Sequence, residues 1–289
     1  MSGLLVNMER TFLANEVQDG LAAIRSKIGK TLSKEEMKLA FSCIDLTTLG
    51  AEDTQEKGRI MAEKVSLFPR HFYELPNVAA ICVYPTLVQT VRENLKDQNV
   101  ALAAVAAGFP SSMTFLEVKE LETAMAVAAG ANEIDIVISI GTFLEGNIDK
   151  VMLEISRVKK SCGAAHLKVI LETGALKTPE YIWKASVCAM QAGADFIKTS
   201  TGKMEPAASP EAAWVMCSAI KKYHEHTGKK IGFKAAGGIV ESADALYYVA
   251  IVKEILGEAW LNPKLFRIGA SRLANNLLTS ITEEKISYF

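Results

Sequence analysis

From about residue 39 the chain alternates short apolar runs with longer segments of helical spacing, and the number of such pairs sets the architecture. Strand-like runs are LAFSCIDLT from Leu39, VAAICVYP from Val78, VALAAVAAGF from Val100 and EIDIVISI from Glu133. HLKVILET from His166, DFIKTST from Asp195, IGFKAAG from Ile231 and LFRIGAS from Leu265 bring the count to eight. The segments between them carry helix-start signals. Thr178-Pro179-Glu180 and Ser209-Pro210-Glu211 each set a hydroxyl cap before a proline at the first helical position, Thr114 opens TFLEVKELETAMAVAAG, and Glu241 or Ser242 starts SADALYYVAIVKEILG. Eight β-then-α units over a span near the usual ~250 residues predict an α/β fold, the (β/α)8 TIM barrel. A doubly wound open sheet also alternates, but its dinucleotide version needs GxGxxG after the first strand, which Asp45-Leu-Thr-Thr-Leu-Gly50 does not supply. Residues 1–38 predict an N-terminal helical extension with a capping box at Ser33 to Glu36, covering the barrel's bottom or joining a subunit contact. Residues 39–281 form the barrel and catalytic domain and residues 282–289 a C-terminal tail.

Composition narrows the function. A chain of 289 residues with 49% hydrophobic residues and 8 prolines has the material for a large core. A net charge of -1 gives no overall field for nucleic acid or an anionic membrane, and no run approaches the ~18 apolar residues of a membrane span, so neither is expected as a partner. Small molecules are the expected partners. Five widely spaced cysteines with no CxxC pair, and an N-terminus with acidic and polar residues where a signal peptide needs an apolar core, point to the reducing cytoplasm. The four histidines include no HExxH, and His224 and His226, two apart on a predicted helix, do not face the same way. No metal and no cofactor are expected.

Charged residues inside apolar strands carry the chemistry. An ammonium buried without a partner costs several kcal/mol, yet Lys198 lies in DFIKTSTGK and Lys234 in IGFKAAGG, 36 residues apart, about one βαβ repeat. They are expected side by side on neighbouring strands. An amine is a nucleophile only when neutral, and an ordinary lysine is neutral less than about 0.1% of the time at pH 7. A second cation roughly 6 Å away opposes protonation by about 3 kcal/mol, or about two pKa units, and burial acts in the same direction. The pair is therefore a candidate Schiff-base site, against the alternative that both lysines snorkel or pair with structural carboxylates. Asp135 in EIDIVISI can shuttle protons or act as counter-ion to Lys168, which reads first as a charge partner. Asp45 and Cys82 are the other polar side chains of the strands weighed here, Cys82 being either sensitive to electrophiles or a buried core thiol.

Glycine-rich exits supply the second half of a site. Gly202-Lys203, Gly237-Gly238 and Gly269-Ala270-Ser271 follow the sixth, seventh and eighth strands, where backbone amides and a helix N-terminus can cradle a phosphate, with Ser271 adding a hydroxyl and Arg272 a charge. TSTGK is not a P-loop, because GxxxxGK[ST] would need glycine at Ile197 and a hydroxyl residue at Met204.

These runs, DLTTL, AAICVYP, GFP, EIDIV, LKVILETG, AGADFIKTSTGK, GFKAAGG and FRIGAS, resemble the deoxyribose-phosphate aldolase family. The resemblance implies reversible cleavage of 2-deoxy-D-ribose 5-phosphate to glyceraldehyde 3-phosphate and acetaldehyde. It implies Lys198 as the Schiff-base lysine, Lys234 as the neighbour that lowers its pKa and Asp135 as the organiser of proton transfer. Gly202, Lys203, Gly237, Gly238, Gly269 and Ser271 would border the phosphate. Arg272 departs from the family, where a second serine often follows. A C-terminal tyrosine reaches the active site in some members; here Tyr288 is penultimate, and a frayed terminus is the alternative. Rival readings are another Schiff-base aldolase or transaldolase on this fold and a non-catalytic sugar-phosphate-binding barrel. The candidate assembly is a homodimer.

Overall fold

The computed structural model describes residues 10–27 and 33–289. Eight parallel strands form a closed barrel: β1 Ile44–Thr47, β2 Ala80–Val83, β3 Ala101–Val105, β4 Glu133–Val137, β5 His166–Ile170, β6 Phe196–Lys198, β7 Gly232–Ala236 and β8 Phe266–Ala270. Barrel neighbours are also sequence neighbours, and β8 closes onto β1 with Ile268 opposite Ile44. The predicted (β/α)8 TIM barrel is the fold observed.

Strand alternation explains the packing. Leu46, Ile81, Leu102, Ile134, Val169, Ile197, Phe233 and Ile268 are fully buried and join the apolar stripes of the surrounding helices in one continuous core. Residues of the opposite phase fill the lumen, and there the composition changes sharply. On the β2 and β3 side lies a small separate apolar cluster of Leu49, Cys82, Ala103 and Val105, while buried charged side chains, with Phe196 and Ile170 among them, occupy the other strands.

Leu39 to Ser42 extend a helix instead of opening the first strand. Helix Lys34–Ser42 buries Met37, Ala40 and Phe41, a helical spacing, and Ser33 caps it by accepting from the Glu36 N–H. The division drawn at residue 38 therefore falls inside a helix. Thr114 likewise precedes its helix, which runs Leu116–Ala128 from Phe115 without a side-chain cap. Thr178 and Ser209 cap as predicted, accepting from the N–H groups of Tyr181 and Ala212.

Within the extension, helix Glu16–Lys27 buries Val17, Leu21 and Ile24 against the outer helices Pro210–Thr227 and Ser242–Leu256. It thus lies on the helical ring. Gly20 permits the approach, because a Cβ there would stand 2.4 Å from Trp214 Nε1. The remainder of the region read as extension, residues 1–9 and 28–32, is outside the described residues. Among the described residues no helix is long and apolar enough to cross a membrane.

The C-terminal tail is docked. Asn275 Oδ1 accepts from the backbone N–H groups of Tyr288 and Phe289 at 2.9 and 3.0 Å, and its Nδ2 donates to the Phe289 carbonyl at 2.9 Å. Phe289 stacks on Phe68, 5.6 Å between centroids, with Phe41 beside it. Phe289→Ala is expected to cost about 1–2 kcal/mol, below the ~3–5 kcal/mol of a fully buried phenylalanine because the ring is half-buried. Urea denaturation measures this, and an unchanged midpoint would contradict the docked tail.

Candidate active site

Register places the two candidate lysines as neighbours, since Lys198 on β6 pairs with Lys234 on β7. Both donate to one oxygen, Asp135 Oδ2 on β4, each at 2.8 Å, so the amines lie within two hydrogen-bond lengths of one another. Lys234 also donates to Asp45 on β1. Below them Lys168 on β5 donates to Asp135 Oδ1 at 3.0 Å and to Glu133, and Arg267 on β8 reaches Asp45 at 2.6 Å and Glu133 at 2.7 Å. The guanidinium also lies over the Phe196 ring. Every member is buried. Lys168 is therefore a charge partner of Asp135 and Glu133.

Glu133 and Arg267 were not among the candidates, although the rule that found the lysines, a charge inside an apolar strand, applies equally to FRIG and EIDIV. With them the lumen holds three carboxylates, Asp45, Glu133 and Asp135, against four basic groups, Lys168, Lys198, Lys234 and Arg267. One base is in excess, and burial favours releasing its proton. Burial lowers the Lys198 pKa below the ordinary lysine value, Lys234 adds to the effect, and Asp135 opposes it. Burial acts on Lys234 in the same sense, but Asp135 and Asp45 outweigh it and hold that ammonium protonated well above its ordinary range. Desolvation is thus a larger influence on Lys198 than the neighbouring lysine. For Asp135 burial favours the neutral acid, yet Lys168, Lys198 and Lys234 together keep it ionised.

Above the lumen, a cavity of about 400 Å³ opens between the exits of β1, β6, β7 and β8. Lys198 lines it together with Gly202, Lys203, Gly237, Gly238, Gly269 and Ser271, so the candidate phosphate-binding positions converge on the candidate amine. Gly202, Gly237 and Gly238 have φ of +75°, +89° and +78°, conformations that favour glycine and turn the backbone back over the opening. Gly269 serves a different end. A Cβ there would meet Ala236 Cβ at 2.9 Å and Lys234 Cε at 3.0 Å, so its lack of a side chain makes room for the lysine.

Glu172, absent from the candidates, orders one wall. It is buried at φ +55°, accepts from the N–H and Oγ1 of Thr201, and Thr201 Oγ1 in turn accepts from Lys203 N–H at 3.0 Å. Nothing in LETG announces a left-handed glutamate. A larger neighbouring cavity, about 740 Å³, shares Thr201 and Lys203 with the first but is lined by none of the three lumen lysines.

Two candidates lie apart from the amines' hydrogen-bond network. Cys82 is buried in the apolar wall of the lumen, where burial and then Asp135 push its thiol pKa up, against a reactive thiolate. Tyr288 is neither frayed nor at the mouth: its hydroxyl donates to the Lys64 carbonyl at 2.8 Å on the outer helix Gln55–His71, and its ring packs on Phe68 and Phe72.

A closed parallel barrel with a buried amine, a second ammonium and a shared carboxylate at its mouth has the makings of a lyase that works through lysine. The sequence matches the model described as DeoC/LacD family aldolase over residues 40–257, and the chain belongs to that family of aldolases. It is 44% identical over 249 residues to the deoxyribose-phosphate aldolase of Homo sapiens, covering 82% of this chain and 78% of that one. The corresponding protein of Bos taurus is 42% identical over 245 residues, with coverage of 81% and 77%. Among solved structures, the tetrameric deoxyribose phosphate aldolase of Aeropyrum pernix superposes with a TM-score of 0.68 at 25% identity, covering 93% of this chain and 98% of that one.

The lumen makes an acid-stability prediction. Asp45, Glu133 and Asp135 are all held below their ordinary values of 3.8, 4.5 and 3.8. Depressed carboxylate pKa values stabilise the fold above the unfolded-state pKa, and that contribution is lost as pH falls through the folded values. Stability is therefore expected to hold near pH 5 and to fall steeply from about pH 4 downwards. An acid titration followed by circular dichroism should show a shallower limb for Glu133→Gln than for the wild type; identical limbs would contradict the assignment.

Proposed function

We propose that this chain is a deoxyribose-phosphate aldolase that cleaves 2-deoxy-D-ribose 5-phosphate reversibly into D-glyceraldehyde 3-phosphate and acetaldehyde, with Lys198 as the Schiff-base lysine. The observation that carries the reading is the excess base buried in the lumen, which leaves Lys198, the amine facing the cavity, as the group able to lose its proton. The names of the human and bovine relatives support the substrate.

The neutral amine attacks the C1 carbonyl of the open-chain sugar, and loss of water gives an iminium. The iminium accepts the electron pair of the C2–C3 bond as the C3 hydroxyl gives up its proton. C3 to C5 leave as glyceraldehyde 3-phosphate, and C1 and C2 remain on Lys198 as an enamine. Protonation of C2 and addition of water then release acetaldehyde and the free amine. Asp135 holds both amines in register and, with water, organises the proton transfers, while Lys234 disfavours protonation of Lys198. Gly202, Lys203, Gly237, Gly238 and Ser271 border the phosphate, with Gly269 shaping the floor beneath it. Lys168 and Asp45 support the pair from below. The five cysteines are free and buried, which supports a cytoplasmic location.

Borohydride added with 2-deoxy-D-ribose 5-phosphate should leave a secondary amine on Lys198, located by peptide mass spectrometry and missing in Lys198→Met. An adduct on Lys234, or none, would overturn the assignment. Lys234→Met should leave three bases against three carboxylates and keep Lys198 protonated. At neutral pH kcat/KM is then expected to fall about a hundredfold and to recover as pH rises, because the pKa of Lys198 moves up by about two units. A pH profile lowered uniformly, without an alkaline shift, would contradict this role for Lys234.

A further inference from the structure

We propose that Arg272 sets specificity in this chain, adding a full, unpaired positive charge to the phosphate end of the cavity and favouring phosphorylated over neutral sugars. The inference rests on the aldolase reading of the same site. Among the described residues, four basic ones line the cavity: Lys57, Lys198, Lys203 and Arg272. Three are engaged. Lys57 pairs with Asp53, Lys198 with Asp135, and Lys203 Nζ donates to the Leu49 carbonyl. The Arg272 guanidinium has no hydrogen bond or ion pair with any described residue.

Its position adds to its charge. Arg272 follows Ser271 on the exit of β8 and stands at the cap of helix Leu273–Thr282, on the strand next to β7 and its Gly237-Gly238 turn. A phosphate monoester carries about -1.5 to -2 at pH 7. Glycine amides and a helix end answer it only with partial charges. Lys203 uses one of its three N–H groups on the Leu49 carbonyl and keeps its charge, while Arg272 adds a second charge whose planar fork can present two parallel N–H groups to phosphate oxygens. Among the described residues Glu52 is the sole acidic one lining the cavity and repels the same dianion, which increases the weight of the arginine's charge.

The test compares kcat/KM for 2-deoxy-D-ribose 5-phosphate and for 2-deoxy-D-ribose in the wild type, Arg272→Ser and Arg272→Lys. The phosphorylated-to-neutral ratio is expected to fall about tenfold to a hundredfold in Arg272→Ser, the range of one charge-assisted hydrogen-bonded contact, and to recover in part in Arg272→Lys. The inhibition constant of inorganic phosphate should rise in parallel. A variant that merely perturbs folding would lower activity on both sugars together, and an unchanged ratio overturns the proposal. A wild type that turns over neither sugar instead defeats the aldolase reading. Calorimetric titration with inorganic phosphate then still decides the role of Arg272, since binding that is absent in the wild type or equal in Arg272→Ser overturns it.

Discussion

Three carboxylates and four basic groups share a lumen that barrels of this class usually fill with branched aliphatic side chains. That network is the constraint on which the rest depends. Burying any one of these charges alone would cost several kcal/mol, so each must have its partner in reach. The reach is set by strand register: Asp135 serves three lysines because Lys168 lies level with it and Lys198 and Lys234, paired with each other, lie two residues further along their strands. The reactivity proposed for Lys198 and the integrity of the barrel therefore come from the same bonds. Arg267 and Glu133, neither of which lines the cavity, belong to the proposed chemistry through the charges they balance.

The mouth is built on a different principle. Where the lumen matches charge with charge, the opening works by removing side chains, with glycine at 202, 237 and 238 to turn the backbone and at 269 to admit Lys234. Polar restraint is supplied from the flanks, as Glu172 holds Thr201 and Thr201 holds Lys203. The loops are thus ordered before any ligand arrives, which lowers the entropy that binding must overcome.

Much of this was legible in the sequence because charge inside an apolar strand is a rare and costly pattern. The pairing of Lys198 with Lys234 and the link from Lys168 to Asp135 follow from it, while the eight strands follow from the alternation of apolar runs with helical segments. What escaped detection depends on three dimensions. Leu39 to Ser42 are as apolar as a strand, and only the phase set by Met37, Ala40 and Phe41 makes them helical. Arg267 stands inside the apolar run FRIG, but its partners, 222 and 134 positions away, are not readable from its neighbours. Glu172 takes a backbone conformation no residue type signals, and Tyr288 is held by an asparagine side chain rather than by its own sequence neighbours.

The unequal count of bases and acids in the lumen bears on each intermediate of the proposed reaction. With Lys198 neutral the enclosed charges balance; the iminium restores the surplus, and the enamine removes it again. The low-dielectric interior then favours the state in which the carbon–carbon bond has broken and disfavours the cation that precedes it. Seen this way, the lumen is a permanent electrostatic bias along the reaction coordinate, set when the barrel folds and independent of any movement of the loops above it.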